Sequence, residues 1–408
     1  MTTSTASTGT AAADRIAAEL ADPGTVPLRE GAAAQSMGAG RLGVALLHFE
    51  RVRTGHGDPG TARAWLRATA YPRTNCATAT NLFNGAPAIS FILHTTDTQG
   101  SYRELRNRLH ERVTIIITDR LALARERIRR QLPTGFAEYS QLSGLSGLGT
   151  YLLATEPGSD LTGDVLAYLV DLTKPLRVGD TWLPGWWSAH DPFLKQSSDF
   201  PGGHVNLGAA HGIVGPLVVL ATAYNAGLKV PGQRDAIEWI WSCYDTWQHE
   251  HGWWPQWLTR AELERGRSTQ PGPGRPSWCY GAPGIARALQ LAAIALDDPV
   301  RQRRAEDALL RCLADTDQQS RLVEGGLCHG TAGLYRIVQR CAEDAHDDRL
   351  AAALPDLEAR LRSSAVPENG FLDGEAGLAL TLHGLGPRIT DDATWDAALG
   401  LAAPKALR

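Results

Sequence analysis

Two cysteines and a histidine occupy matching places in two similar segments, and together they could hold a metal ion. Cys328 and His329 stand directly before a Gly-x-x-Gly step that begins at Gly330, and Cys279 stands two residues before an equivalent step at Gly281. Two thiolates and one imidazole are the donor set of zinc sites that keep a fourth position open. A Cys-His pair alone would be read as a core thiol beside a core histidine, but the matching Cys279 favours a metal site. The sequence therefore predicts one zinc ion per chain, held by Cys279, Cys328 and His329.

Other side chains able to do chemistry stand in or near the same register. His211 stands one residue before its own glycine step, as His329 does. His211 could be a fourth ligand, which would make the site structural, or a general acid or base beside the metal, and an open site favours the second role. Arg275, four residues before Cys279, could face a developing oxyanion or be an ordinary surface guanidinium. Asp373 could orient a ligand histidine or cap a helix, and the cap is the favoured interpretation.

A recurring glycine step predicts the architecture that must position these residues. Glycine, two residues, then glycine or alanine precede a mostly apolar run typical of a buried helix. The seven steps begin at Gly40, Gly85, Gly144, Gly212, Gly281, Gly330 and Gly374. Between them lie amphipathic segments such as 160–172 and 233–247. Because repeat units bury their apolar faces only against neighbours, the sequence predicts an all-α fold, an α/α toroid of seven inner and seven outer helices.

The intervals between the steps suggest where the chain departs from a plain repeat. Residues 1–13 are rich in Thr, Ala and Ser, and we expect a disordered tail there, with the toroid spanning 14–408. The interval 95–140 is long enough to carry a small inserted lobe. Two further intervals contain Gly-, Pro- and Trp-rich loops, 178–208 and 252–276, and we expect these loops to be functional.

The composition excludes several classes of protein. A formal net charge of −4 gives no basic footprint, so nucleic acid is not an expected partner. No apolar run approaches the roughly 18 residues of a membrane span, and the N-terminal segment lacks the basic and apolar regions of an export signal. Six cysteines are too few for a disulfide scaffold in a chain of 408 residues. We therefore expect a cytoplasmic protein with reduced thiols.

The segments around the candidate ligands resemble the signature of the lanthipeptide cyclases, the LanC family. The similar segments are 206–212, 278–281 and 328–330, and the resemblance covers the chain after the N-terminal tail. It implies an α/α toroid, often with a small inserted lobe, that binds one zinc ion through two cysteines and one histidine. Carried over residue by residue, it implies ligands Cys279, Cys328 and His329, an active-site histidine at His211 and an arginine at Arg275, and Trp278 and Tyr280 flanking the first ligand.

The resemblance also implies a reaction. A zinc-bound cysteine thiolate of a dehydrated precursor peptide, made of leader and core, would add to dehydroalanine or dehydrobutyrine and form a (methyl)lanthionine thioether ring. Arg275 would stabilise the enolate, and His211 or a water that it holds would protonate it. The implied partners are a dehydratase and an exporter, in the cytoplasm or at the periphery of a membrane-associated biosynthetic complex.

The sequence departs from the family pattern at one position. Ser140 follows Tyr139 where the family usually has an aspartate, and a serine cannot serve as a carboxylate base. This departure bears on proton transfer and leaves the ligand set unchanged. Among other functions, a zinc prenyltransferase subunit would use Asp, Cys and His ligands, which the adjacent Cys328 and His329 do not fit. A LanC-like protein that binds thiols or glutathione without cyclase activity is the alternative that stays open.

Overall fold

The computed structural model describes residues 5–27, 34–70, 73–385 and 395–407, which are mostly helical. The α-helices of this part of the chain are α1 Thr5–Glu19, α2 Arg41–Arg53, α3 Pro59–Ala70, α4 Gly85–Thr96, α5 Arg103–Arg129, α6 Phe136–Tyr139, α7 Leu145–Thr155, α8 Asp160–Leu172, α9 Val214–Asn225, α10 Gln233–Trp247, α11 Arg260–Arg265, α12 Ala282–Leu296, α13 Pro299–Ala314, α14 Thr316–Ser320, α15 Thr331–Asp344, α16 Leu354–Arg362 and α17 Glu375–His383. The strands are β1 Leu176–Val178, β2 Thr181–Leu183, β3 Val205–Asn206 and β4 Trp257–Leu258.

The helices form two concentric rings, as the repeat pattern predicts. The inner helices α2, α4, α7, α9, α12, α15 and α17 each contact the next, and α17 contacts α2, so the inner ring closes. Their outer partners, in the same order, are α3, α5, α8, α10, α13, α16 and α1. Inner helices are buried on nearly every side because their sequences are apolar without alternation. The predicted α/α toroid is therefore confirmed within the described residues.

The N-terminal segment corrects one prediction. Helix α1 begins at Thr5 and packs against α17 as the seventh outer helix, with Ala13 and Ile16 buried in the core. A disordered tail over 1–13 is therefore wrong from Thr5 onward, and residues 1–4 lie outside the described residues. An alanine-rich segment has high helix propensity, and the outer side of α17 supplies the apolar partner that stabilises it.

The expected inserted lobe over 95–140 is also wrong. Most of this interval is one long outer helix, α5, which packs against α4, α7 and α8. Its buried face includes Val113, Ile117 and Leu121, while most of its charged residues face outward. The longer outer helix therefore accounts for the extra length of the interval.

The C-terminal segment 395–402, here called the C-terminal plug, lies inside the inner ring and is almost wholly buried. Its Asp396 carboxylate accepts hydrogen bonds from the Arg336 and Arg340 guanidinium groups at 2.8 and 2.7 Å. The indole Nε1 of Trp278 donates to the Leu399 carbonyl at 2.9 Å. The plug thus ties inner-ring elements of several repeats together.

The short strands pair as two antiparallel units. β1 and β2 form a hairpin in which Leu176 lies opposite Leu183. β3 pairs with β4, with Val205 opposite Leu258, and so joins the two long loops that the sequence singles out. Among the described residues, no helix combines the length and apolar character needed to cross a lipid bilayer.

Candidate functional site

Backbone hydrogen bonds between neighbouring repeats bring together the segments that precede the inner helices. The Ala210 amide donates to the Cys279 carbonyl at 3.2 Å, and the Cys279 amide donates to the Cys328 carbonyl at 3.2 Å. The Cys328 amide in turn donates to the Leu372 carbonyl at 2.9 Å. Positions that are equivalent in the sequence repeat therefore become neighbours in space.

The second glycine of each step fixes the ligand-bearing loop against its own helix. A Cβ on Gly333 would stand 2.0 Å from the Leu327 carbonyl oxygen, and a Cβ on Gly284 would stand 2.0 Å from the Trp278 carbonyl oxygen. The glycines are needed because these loops fold back onto the first turns of α15 and α12. This close packing sets the positions of Cys328 and Cys279, which follow those carbonyls in the chain.

The three predicted ligands form one cluster. One donor atom each from Cys279, Cys328 and His329 lies within 4.8 Å of the others, and all three residues are half-buried. Two sulfurs and one imidazole nitrogen at this spacing fit a tetrahedral zinc ion with an open position. The other such group in the described residues, His249, Glu250 and His251, is fully exposed and consists of consecutive residues.

The charges of the cluster favour a cation. The hydrogen bond from the Cys328 thiol holds the pKa of Cys279 well below its usual range, while the same contact raises the pKa of Cys328. The hydrogen bond with Cys279 raises the pKa of the His329 imidazole. The sulfur of Cys279 also lies 3.6 Å from the Ser277 hydroxyl. Negative charge therefore concentrates on Cys279, where a metal ion would be bound.

His329 lies between two carboxylates from different segments. Its Nε2 is 2.6 Å from Oε2 of Glu324, and its Nδ1 is 3.4 Å from Oδ1 of Asp373. Helix α17 is capped by Gly374 without a side-chain hydrogen bond, so the favoured interpretation of Asp373 as a cap is wrong. Burial raises the pKa of the Asp373 carboxyl.

Glu324 is the contact that sequence reasoning missed. It stands four residues before Cys328, as Arg275 stands four residues before Cys279, and this shared register is the signal that could have found it. The two side chains form an ion pair, with Arg275 Nη1 3.3 Å from Glu324 Oε1. Arg275 thus contacts Glu324, which in turn contacts the candidate ligand His329.

His211 lies outside the ligand cluster. Its ring packs on Phe136 with centroids 4.7 Å apart, and its Nδ1 is buried without a hydrogen-bond partner. Burial lowers the pKa of His211 to about 4, so the imidazole is neutral near pH 7. Ser140 is fully buried, and its hydroxyl pairs with that of Ser143 at 3.0 Å. No described contact makes Ser140 a partner of His211.

Tyr280 and Trp278, the two aromatic residues beside Cys279, lie in different environments. The Tyr280 hydroxyl accepts a hydrogen bond from the Asn206 amide at 3.2 Å, and burial raises the pKa of Tyr280 to about 12. Its ring meets the edge of Trp257, with centroids 5.8 Å apart. Trp278 is buried, and its indole donates a hydrogen bond to the C-terminal plug. This contact anchors the loop that carries Cys279.

A cavity of about 640 Å³ opens beside this site. Its walls come mainly from the loops 178–208 and 252–276, and they include apolar rings from Phe200, Trp257 and Pro273. Gly274, which precedes Arg275, also lines it. The cavity therefore reaches from the Trp257–Tyr280 contact to the base of Arg275.

Comparisons with known proteins agree with this fold. The family model described as lanthionine synthetase C-like protein matches residues 32–399. The nisin biosynthesis protein NisC of Lactococcus lactis subsp. lactis is 26% identical over 320 residues, covering 74% of this chain and 73% of that protein. A solved structure of nisin cyclase has the same fold, with a TM-score of 0.75 at 21% identity, covering 95% of this chain and 96% of that one. Since the family model spans most of the sequence, the resemblance is confirmed, and the chain belongs to the lanthionine synthetase C-like protein family.

Proposed function

We propose that this protein is a zinc-dependent lanthipeptide cyclase that closes thioether rings in a dehydrated precursor peptide. The observation that carries the proposal is the cluster of Cys279, Cys328 and His329, with donor atoms within 4.8 Å of one another. Family membership supports it, as does the similarity to a protein named for nisin biosynthesis. In this reaction the peptide thiol loses its proton, and its sulfur bonds to the β-carbon of a dehydro residue as the carbon–carbon double bond breaks. The α-carbon then takes up a proton, so the peptide mass does not change.

The metal would be held by the two cysteine sulfurs and one nitrogen of His329. Zinc bound there would supply the positive charge that keeps a substrate thiol deprotonated near neutral pH. The protein ligands leave one tetrahedral position open, which is the position that a substrate sulfur needs. His211 lies outside the cluster, which favours its role in proton transfer over that of a fourth ligand.

Neutral side chains around the cluster would transfer the protons. With its pKa lowered to about 4, His211 is uncharged at neutral pH, and a proton passed to its ring nitrogen would be held weakly and released readily to the α-carbon. The Tyr280 hydroxyl accepts from Asn206, so its own proton is free to donate to a developing enolate oxygen. Ser140 takes no part in this scheme, because its hydroxyl is already paired with Ser143.

The cavity beside Tyr280 is the proposed place for peptide residues that flank the reacting cysteine. Its aromatic and proline walls suit an extended, partly apolar segment, and its volume lies in the range of typical ligand pockets. A dehydratase, an exporter and a cytoplasmic location stay predictions from the resemblance.

The test combines metal analysis with cyclisation of a dehydrated peptide that carries free cysteines. We expect about one zinc per chain, and loss of free thiols without a change in peptide mass. Cys328→Ala should lose both zinc and activity, whereas Cys312→Ala, which changes a buried thiol of α13, should keep both. Metal-free protein that still closes rings at the parent rate would refute the proposal.

His211→Ala separates the two roles left open for that histidine. Retained zinc with lost cyclisation supports proton transfer, and lost zinc would identify a fourth ligand. The same peptide assay distinguishes a LanC-like thiol-binding protein, because a binder leaves the number of free thiols unchanged.

A further inference from the structure

We propose that Glu324 and Arg275 form a positioning pair that sets the tautomer and orientation of His329 and thereby the affinity for metal. This inference rests on the metal centre of the proposed function. It assigns Glu324, which is not a candidate ligand, a role in holding His329, and it gives Arg275 a second role beside the one predicted for it.

The contact with Glu324 determines which imidazole nitrogen is free. Oε2 of Glu324 lies 2.6 Å from Nε2 of His329, so Nε2 carries the hydrogen and donates it to the carboxylate. Nδ1, which lies 3.4 Å from Oδ1 of Asp373, is then the nitrogen whose lone pair is available to a metal ion. Ligand histidines in metalloproteins usually donate their second N–H to a carboxylate or carbonyl in this way.

Arg275 holds the carboxylate in the position that this contact needs. Its Nη1 lies 3.3 Å from Oε1, the carboxylate oxygen that does not face His329. Both side chains are partly exposed, at 41% for Arg275 and 44% for Glu324, so the ion pair matters mainly for geometry. The guanidinium limits rotation of the carboxylate about its own axis.

The repeat explains why these two residues meet. Arg275 and Glu324 each stand four residues before a ligand cysteine in neighbouring repeats. The hydrogen bond from the Cys279 amide to the Cys328 carbonyl aligns the two loops. The backbone contact that brings the sulfurs together therefore also brings the guanidinium to the carboxylate.

Variants of Glu324 and Arg275 should weaken zinc binding to different degrees. Glu324→Leu removes the acceptor and should weaken zinc binding by about 10- to 100-fold, the usual effect of losing a partner of a ligand histidine. Glu324→Gln keeps an acceptor oxygen and should lose less. Arg275→Met leaves the carboxylate in place and should also lose less than Glu324→Leu.

Zinc dissociation constants are measured by competition with a chromophoric chelator at fixed pH, on the full-length protein and each variant. A matched control is Glu238→Leu, because Glu238 and Arg234 form an ion pair of similar exposure on the outer helix α10. We expect parent affinity for this control. Urea unfolding of the metal-free proteins shows whether a variant has lost stability in general.

Glu324→Leu with the parent zinc affinity would overturn the inference while leaving the proposed function intact. A parent protein that binds no zinc would overturn both. For Arg275→Met, unchanged zinc affinity together with a lower kcat at saturating zinc would assign Arg275 to the developing oxyanion and remove it from the pair.

Discussion

Replacing Gly333 by alanine tests whether the loop that carries the proposed metal ligand Cys328 depends on its packing against α15. The new Cβ would stand 2.0 Å from the Leu327 carbonyl oxygen, whereas contacts of this kind are essentially never seen below 3.0 Å. The loop must therefore retreat by roughly 1 Å, and overpacking of a rigid core costs about 1–3 kcal/mol. Because the obstructing atom is backbone, we expect the upper part of this range. Leu327 precedes Cys328, so the shift should also displace this proposed metal ligand.

The matched control is Gly163→Ala in helix α8. A Cβ at Gly163 would meet no atom within 4 Å, so this change should stabilise the protein by about 0.5–1 kcal/mol through helix propensity. Urea unfolding midpoints and zinc content per chain are measured for both variants. We expect shifts of opposite sign, with zinc lost or weakened only in Gly333→Ala.

Two results would refute this reasoning. Equal midpoints for the two variants would show that the loop does not press on α15. A destabilised Gly333→Ala protein that keeps the parent zinc affinity would show that the Leu327 carbonyl and the Cys328 sulfur move independently.

Three further predictions concern buried polar groups of the ring. Asp396→Ala should lower the free energy of unfolding by about 3–5 kcal/mol, measured in urea, because it removes the carboxylate that Arg336 and Arg340 share at almost no exposure. Trp278→Phe should cost about 1–3 kcal/mol and retain zinc, since it removes the buried donor to the plug while leaving the ligands in place. Burial lowers the pKa of His383 from 6.5 to about 4. The free energy of unfolding should therefore be fully present above pH 6.5 and fall by about 3 kcal/mol as the pH drops to 4. His383→Gln should make the urea midpoint less dependent on pH across that window.

Several features of the fold are local enough to be predicted from the sequence. The glycine steps mark the starts of the inner helices, because each helix needs glycine where its preceding loop folds back. The amphipathic segments 160–172 and 233–247 coincide with α8 and α10, since their charged and apolar residues alternate with helical period. The ligand set follows from the same register, because equivalent loop positions in a closed ring face one another.

The errors arose where a segment is stabilised by a distant partner. The composition of residues 1–13 predicts a tail, because it does not show that α1 is the segment that packs against α17 as its outer helix. The interval 95–140 suggested an insertion because its length alone does not distinguish a lobe from a longer helix. Asp373 looked like a cap because it precedes a helix, yet the loop geometry turns its carboxylate toward His329.

The sequence by itself determined the repeat, the helix pairs and the three candidate ligands that cluster, because glycine spacing and ligand chemistry are properties of short segments. Only the tertiary structure decided that α1 packs against α17 as the seventh outer helix and that the C-terminal plug binds the Trp278 indole. It also decided that Glu324 and Arg275 meet at His329. Those contacts join residues from different repeats, and their geometry is set by the packing of the whole ring.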